Sequence, residues 1–182
     1  MTDENIPNAL TVFRILSVPF VMFLLLSGFN LAALALFLFS SLTDLVDGYL
    51  ARKYDRISAF GKFADPIADK LLVAAVFITF VQLGELSAAA VVVIISREFL
   101  VTGLRLLGAT ANKIISASWF GKTKTVSHIV LIVAITVNLE FQLPWLDRSI
   151  PWLIYLAVTT ALVSGADYLV SNRKLIKECF LD

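Results

Sequence analysis

The sequence predicts an all-α integral membrane protein, a bundle of six transmembrane helices preceded by a short N-terminal interfacial segment. The 182 residues are 59% hydrophobic and 16% charged, whereas soluble domains are closer to half apolar and a quarter charged. The mean hydropathy is +0.87. The apolar residues also fall into runs of membrane-spanning length. Six such runs leave no room for a soluble domain, so we expect one membrane domain, residues 1–182.

The first three predicted spans lie in the N-terminal half of the chain. Residues 1–7 are polar and form the interfacial segment before span one, residues 10–26. Span two starts near residue 31 and carries several carboxylates before it ends in a basic segment at 52–56. Span three covers about 58–81 and has a proline in its early turns, where proline is best tolerated. The first half therefore reads as three helices with short connections.

The second half of the chain predicts three more spans. Span four covers about 88–107 and begins very apolar, and span five follows a polar lead-in at 119–125 and ends near 139. Residues 140–148 then read as the longest loop, and span six covers about 150–170. Tryptophans beside this loop suit a membrane interface.

The basic residues set the predicted orientation. If the amino terminus is cytoplasmic, nearly all of them lie on the cytoplasmic side, whereas Arg148 is alone on the other. The positive-inside rule therefore predicts a multi-pass protein with both termini in the cytoplasm. The single cysteine, Cys179, excludes an internal disulfide and a cysteine-built metal site.

The most unusual stretch joins spans two and three. Asp44 and Asp47 are three residues apart, Asp65 and Asp69 are four apart, and such spacings bring side chains to one face of a helix. Because a short turn joins the spans antiparallel, both acidic faces can converge on one cavity. Four neighbouring carboxylates repel one another unless cations lie between them.

Oxygen ligands without histidine or cysteine suit Mg²⁺ or Mn²⁺, and two such ions commonly clamp a phosphoryl group. Gly48 and Ala51 would let a bulky group approach the helix backbone, and Arg52 could pair with a phosphate. Two alternatives use the same acids: salt bridges at an ordinary membrane boundary, or a path for protons or cations. Spacing alone does not separate the path from phosphoryl transfer.

The stretch from Asp44 to Asp69 resembles the signature of the CDP-alcohol phosphotransferases, D-x-x-D-G-x-x-A-R, eight residues, G-x-x-x-D-x-x-x-D. Every fixed position is present. In that family an alcohol hydroxyl attacks the β-phosphorus of a CDP-linked lipid, and CMP leaves. The resemblance implies that the four aspartates bind two divalent cations, Mg²⁺ or Mn²⁺, and that Asp69 is also the catalytic base. It implies CDP contacts from the following residues: Asp44, Gly48, Ala51, Arg52 and Gly61.

Three further segments resemble the bacterial subgroup whose acceptor is sn-glycerol 3-phosphate and whose product is phosphatidylglycerophosphate. They are residues 5–14, 96–105 and 121–125. An acceptor that carries a phosphate needs cations besides the metals. The candidates for this role are Arg14, Arg97, Arg105, Lys122 and Lys124. Another acceptor, such as inositol phosphate, serine or phosphatidylglycerol, would leave the signature unchanged.

Each of these residues also has an alternative interpretation. Lys122 and Lys124 could serve only membrane orientation and headgroup contact, and Arg97 could form a simple pair with Glu98. Asn8, Thr11 and Arg14 recur every three residues; Asn8 and Thr11 could reach the CDP, or all three could cap the first helix. His128 reads as a hydrogen-bonded core residue, and Asp167 has no assigned role.

The resemblance also predicts partners and location. CDP-diacylglycerol, sn-glycerol 3-phosphate and membrane lipid are the expected partners, in a homodimer without nucleic acid. The expected location is the bacterial cytoplasmic membrane, with the active site facing the cytoplasm.

Overall fold

The computed structural model describes residues 6–54, 59–110, 119–173 and 176. For residues 6–9, 44–54, 59–66, 69, 107, 109 and 110 it describes the backbone alone. The described residues form six α-helices and no strands, in the following order: α1 Ile6–Leu26, α2 Asn30–Tyr54, α3 Ala59–Gln82, α4 Ala88–Thr110, α5 Trp119–Phe141 and α6 Pro144–Ser171. Each helix contains one of the apolar runs, so the all-α class is confirmed.

The loop predicted at residues 140–148 is wrong. Helix α5 continues to Phe141 and α6 begins at Pro144, so only Gln142 and Leu143 connect them. Proline is favourable in the first turn of a helix, because the N–H that it lacks would be unpaired there anyway. Gln142 makes the reversal with a left-handed backbone, φ 48°. Polar residues that resembled a loop, such as Asp147, instead form the first turns of α6.

The chain divides into two compact units. Unit 1 comprises Met1–Glu85 and Leu139–Phe141, and unit 2 comprises Leu86–Asn138 and Gln142–Asp182. In unit 1, α1 packs against both α2 and α3. Its core contains large apolar side chains that are at most 1% exposed: Val21, Phe37, Leu72, Val76, Phe77 and Phe80. Asn30, at the start of α2, donates a hydrogen bond to Glu140 at 3.2 Å.

In unit 2, α4 packs against α6. Ala157 and Ala161 of α6 are fully buried, and small residues of this kind let helix backbones approach closely. Larger buried side chains of this core include Ile94 of α4, three residues of α5 and Tyr168 of α6; the α5 residues are Leu131, Ile132 and Ile135. That the chain forms one membrane domain remains a prediction.

Much of the described surface is apolar. Phe20, Phe23 and Tyr155 are 62%, 65% and 70% exposed, and all three tryptophans are at least 63% exposed. Among the described helices, α5 and α6 are long and apolar enough to cross a membrane. Shorter apolar helical stretches lie at Leu10–Leu26, Asn30–Thr43 and Lys70–Gln82. The structure therefore supports two candidate spans of the six that the sequence predicts.

Candidate active site

The four signature aspartates lie where α2 ends and α3 begins. Asp44 and Asp47 are in the C-terminal half of α2, and Asp65 and Asp69 are in the N-terminal half of α3. The backbone is helical across both segments, as the sequence predicted. The side chains of these aspartates lie outside the described part of the structure, as do those of Ala51 and Arg52. The side chain of Asn8 lies outside it too. The roles assigned to them, and to Gly48 and Gly61, remain predictions.

The chemistry of the donor set fits a hard divalent cation. Carboxylate oxygens are among the ligands that Mg²⁺ prefers. The two helices that carry the aspartates, α2 and α3, both pack against α1. Among the side chains that the structure does describe, no group of three histidine, cysteine or acidic residues could hold a metal ion. The metal site at the signature aspartates remains a prediction.

A buried polar seam between α1 and α2 ends one turn before Asp44. Arg14 is only 1% exposed, and its Nε donates to the backbone oxygen of Ser40 at 3.3 Å. The Ser40 hydroxyl donates to that of Ser17 at 3.0 Å. Thr11, one turn before Arg14, is 1% exposed. Thr11 and Arg14 lie inside α1, so neither residue caps this helix.

A second polar cluster lies in unit 2, among α4, α5 and α6. Lys124 of α5 forms an ion pair with Glu98 of α4, and an Arg97 nitrogen lies 3.4 Å from the same carboxylate oxygen. The side chains of Lys124, Arg97 and Glu98 are 8%, 9% and 12% exposed. Removing charges from water is costly unless they are paired, so these three side chains depend on one another.

Helix α6 provides partners for both arginines of α4. Arg97 donates to the Ser164 hydroxyl, and Arg105 donates from Nε to the Tyr168 hydroxyl at 3.0 Å. The guanidinium carbons of Arg97 and Arg105 lie 5.8 and 5.3 Å from the centre of the Tyr168 ring. Both distances fall within the range of cation–π attraction.

Gly165 allows α4 and α6 to approach each other at this point. A Cβ at this position would lie 3.2 Å from Cγ of Arg97, which is closer than ordinary van der Waals contact. The glycine therefore makes room for the Arg97 side chain beside α6.

These charged residues of unit 2 and their partners on α6 are together called the cation cluster, which comprises Arg97, Glu98, Arg105, Lys124, Ser164 and Tyr168.

The structure brings together three of the five predicted acceptor-site cations, namely Arg97, Arg105 and Lys124. Lys122 is exposed on α5, as expected if it serves membrane orientation. Arg14 lies in unit 1, whereas the cation cluster lies in unit 2. The predicted pair between Arg97 and Glu98 is present, but Arg97 has partners on α6 as well.

Sequence reasoning missed Ser164, Gly165 and Tyr168. Ser164 and Tyr168 are four residues apart and therefore share a face of α6, on which both are nearly inaccessible. That spacing was the available signal, but serine and tyrosine occur in many apolar helices. His128 is 3% exposed and hydrogen-bonds to the backbone of Ala157, which confirms its prediction as a core residue.

Comparison with known proteins identifies the class to which this chain belongs. The family model of the CDP-alcohol phosphatidyltransferases matches residues 4–165, so the chain is a member of that family. It is 40% identical to the CDP-diacylglycerol–glycerol-3-phosphate 3-phosphatidyltransferase of Bacillus subtilis, over 95% of this chain and 97% of the relative. The Rickettsia bellii protein of the same name is 34% identical, over 94% and 97%.

A third relative carries the same activity in its name. The probable phosphatidylglycerophosphate synthase of Mycobacterium tuberculosis is 35% identical, over 90% of this chain and 79% of the relative. The family match includes the signature segment and every member of the cation cluster except Tyr168. The alternatives of a boundary salt-bridge cluster and of an ion path receive no support from these comparisons.

Proposed function

We propose that this protein transfers the phosphatidyl group of CDP-diacylglycerol to sn-glycerol 3-phosphate, giving phosphatidylglycerophosphate and CMP in phospholipid biosynthesis. The observation that carries the acceptor assignment is the cation cluster. Among the described side chains, this cluster contains three cations and one carboxylate, an excess of two positive charges. A phosphate monoester carries about −1.5 to −2 charges at pH 7, which this excess matches. Serine offers no such dianion.

In the proposed reaction the free primary hydroxyl of glycerol 3-phosphate attacks the β-phosphorus of CDP-diacylglycerol. The bond from that phosphorus to the bridging oxygen breaks, and CMP leaves with the bonding electrons. Asp69 accepts the hydroxyl proton, and Arg97, Arg105 and Lys124 hold the acceptor phosphate. Holding the acceptor in this way converts a bimolecular encounter into an oriented one.

The proposed metal ligands are Asp44, Asp47, Asp65 and Asp69. Two bound Mg²⁺ or Mn²⁺ ions would polarise the phosphoryl oxygens and stabilise the charge that develops there. Gly48, Ala51, Arg52 and Gly61 are proposed to contact the cytidine diphosphate, together with Asn8 and Thr11. The polar seam one turn before Asp44 supports a role for α1, because it extends from Thr11 through Arg14 to Ser40.

Purified protein, CDP-diacylglycerol and Mg²⁺ or Mn²⁺ test this proposal directly. CMP release is measured with glycerol 3-phosphate, inositol phosphate, serine, phosphatidylglycerol and glycerol as acceptors. We expect release with glycerol 3-phosphate and little with its dephosphorylated counterpart, glycerol. No release with any acceptor would overturn the enzyme assignment, and release with inositol phosphate alone would overturn the acceptor.

We also propose that the chain crosses the bacterial cytoplasmic membrane six times, with the active site facing the cytoplasm. Helix α5 has 23 residues, so at 1.5 Å per residue it spans roughly 34 Å, enough for the bilayer core. Trp119 and Trp145 stand at the starts of α5 and α6, as expected of interfacial anchors. Arg105 lies in the C-terminal half of α4, Ser164 and Tyr168 in the C-terminal half of α6, and Lys124 in the N-terminal half of α5, whereas Arg97 and Glu98 lie near the middle of α4.

Cysteine labelling in oriented membrane vesicles tests the topology. A membrane-impermeant maleimide should label native Cys179 only from the cytoplasmic face. In a Cys179→Ser background, Ser149→Cys should be labelled only from the opposite face. Labelling of both positions from the same face would exclude an odd number of spans between them.

The homodimer is likewise a proposal, which native mass spectrometry in detergent would test.

A further inference from the structure

Tyr168 is the one side chain of the described cation cluster that contacts both arginines of α4. It is 2% exposed, yet its ring lies beneath the guanidinium groups of Arg97 and Arg105 and its hydroxyl accepts from Arg105. The family signature in α2 and α3 does not include it. A tyrosine that only filled the core would not need to contact two arginines, so these contacts indicate an additional role for Tyr168.

The geometry leaves the arginines able to bind a further anion. A guanidinium has five N–H donors, and the Tyr168 hydroxyl is bonded by Nε and one terminal nitrogen of Arg105. Arg105 therefore retains donors beyond those that Tyr168 uses. The ring contributes attraction without consuming any donor. Tyr168 can thus fix the direction of both guanidinium groups while leaving part of each free to bind a phosphate.

The sequence separation of the arginines shows why a third residue is needed. Arg97 and Arg105 are eight residues apart, which places them about 12 Å apart along the helix and about 80° apart around it. Helix geometry alone does not direct two such side chains to one small anion. Tyr168 is close to both of them, and Ser164 holds Arg97 from one turn earlier on α6.

We propose that Tyr168 is a positioning residue that directs Arg97 and Arg105 onto the phosphate of the acceptor and so determines the preference for a phosphorylated alcohol. This inference rests on the proposed function. It adds a residue, and a contact between α4 and α6, to the determinants of acceptor choice. Tyr168 acts through the arginines and does not itself contact the reacting atoms.

The central experiment is Tyr168→Phe, which keeps the ring and removes only the hydroxyl. We expect the KM for glycerol 3-phosphate to rise roughly tenfold, the effect of losing one hydrogen bond to a charged group. The KM for CDP-diacylglycerol and the kcat should stay within about twofold. The matched control is Tyr155→Phe on the same helix, because Tyr155 is 70% exposed and lies outside the cluster. It should leave all three constants unchanged.

A double-mutant cycle tests whether Tyr168 acts through Arg105. In an Arg105→Ala background, Tyr168→Phe should have much less effect on the KM for glycerol 3-phosphate than in the wild-type protein, because coupled residues are not additive. Tyr168→Phe should also reduce the ratio of activity with glycerol 3-phosphate to activity with glycerol. A merely structural role for Tyr168 would not change that ratio selectively.

The possible results separate this inference from the proposed function. A wild-type protein that does not use glycerol 3-phosphate would overturn both. A wild-type protein that does, combined with a Tyr168→Phe variant that has an unchanged acceptor KM, would overturn the inference alone. Equal increases in both KM values, or full additivity with Arg105→Ala, would do the same. A Tyr168→Phe variant that fails to fold would show that the hydroxyl serves the fold, and would also overturn it.

Discussion

Lys124 of α5 and Glu98 of α4 form an ion pair although they are 26 residues apart in the sequence. Both side chains are about nine-tenths buried, and Arg97 lies beside the same carboxylate. The pair connects two helices at the point where the proposed acceptor phosphate binds. A carboxylate held between two cations occupies the kind of position that a substrate anion would take.

The first prediction concerns Lys124 itself. Lys124→Ala should raise the KM for glycerol 3-phosphate by roughly tenfold or more, because it removes one charge-assisted contact to the phosphate. The KM for CDP-diacylglycerol should change much less. Steady-state CMP release with each substrate varied in turn provides both constants.

Lys122→Ala is the matched control, since Lys122 lies two residues away on the same helix and is exposed. It should leave both KM values close to those of the wild-type protein. Equal effects of Lys124→Ala on the two substrates would argue against a phosphate contact.

The second prediction concerns stability. Glu98→Gln neutralises a carboxylate that lies beside both Arg97 and Lys124. Breaking a buried ion pair by removing one partner costs about 3–5 kcal/mol, because the other charge stays buried and loses that attraction. We therefore expect the Tm in detergent to fall by roughly 5–15 °C.

Asp147→Asn is the control for Glu98→Gln. Asp147 accepts a hydrogen bond from Asn138 at 3.3 Å, but this contact is exposed. Exposed polar pairs contribute little, so the Tm of this variant should stay within about 2 °C of the wild-type value. If the Tm of Glu98→Gln equals that of Asp147→Asn, the cation cluster does not need the Glu98 carboxylate for stability.

The third prediction compares two glycines. Gly165→Ala places a methyl group 3.2 Å from Cγ of Arg97, so the Arg97 side chain must shift slightly, and we expect this shift to disturb its bond to Ser164. The KM for glycerol 3-phosphate should rise severalfold. Gly103→Ala on α4 meets no described atom within 4 Å, and alanine favours helices over glycine by about 1 kcal/mol. Its KM should be unchanged and its Tm equal or higher, as kinetics and melting curves of the two variants would show.

The fourth prediction tests the proposed base and the metals. Asp69→Asn should abolish CMP release while leaving the Tm close to that of the wild-type protein, because the amide can neither accept the proton nor bind a cation as a carboxylate does. Removal of divalent cations with EDTA should abolish wild-type release, and Mg²⁺ or Mn²⁺ should restore it. Retained turnover in Asp69→Asn would remove this residue from the role of base. Turnover that survives EDTA would exclude the metal requirement.

The helices were predictable from the sequence because apolar runs define them directly. The predicted spans lie within a few residues of the helices in most cases, as in 10–26 against Ile6–Leu26. The exception was the start of α6, where Pro144 and Asp147 resemble a loop. Hydropathy registers the polarity of these residues but not the compatibility of proline with a first helical turn.

The candidate site was predictable only where its residues are charged. Arg97, Arg105 and Lys124 are conspicuous in an apolar chain, so their importance could be inferred before any contact was known. Tyr168 and Ser164 could not be found in this way, since their role depends on which face of α6 meets α4. That choice is a matter of tertiary packing, and nearly uniform apolarity around a helix hides it.

The three tryptophans have a practical consequence. Trp119, Trp145 and Trp152 are all exposed, and all lie on α5 and α6 in unit 2. Intrinsic fluorescence of this protein therefore reports the medium around those two helices and contains no tryptophan signal from unit 1. Exchange of detergent for lipid should shift the emission maximum strongly, whereas events confined to the aspartate helices should leave it unchanged. A single cuvette measurement can thus follow membrane reconstitution without any added label.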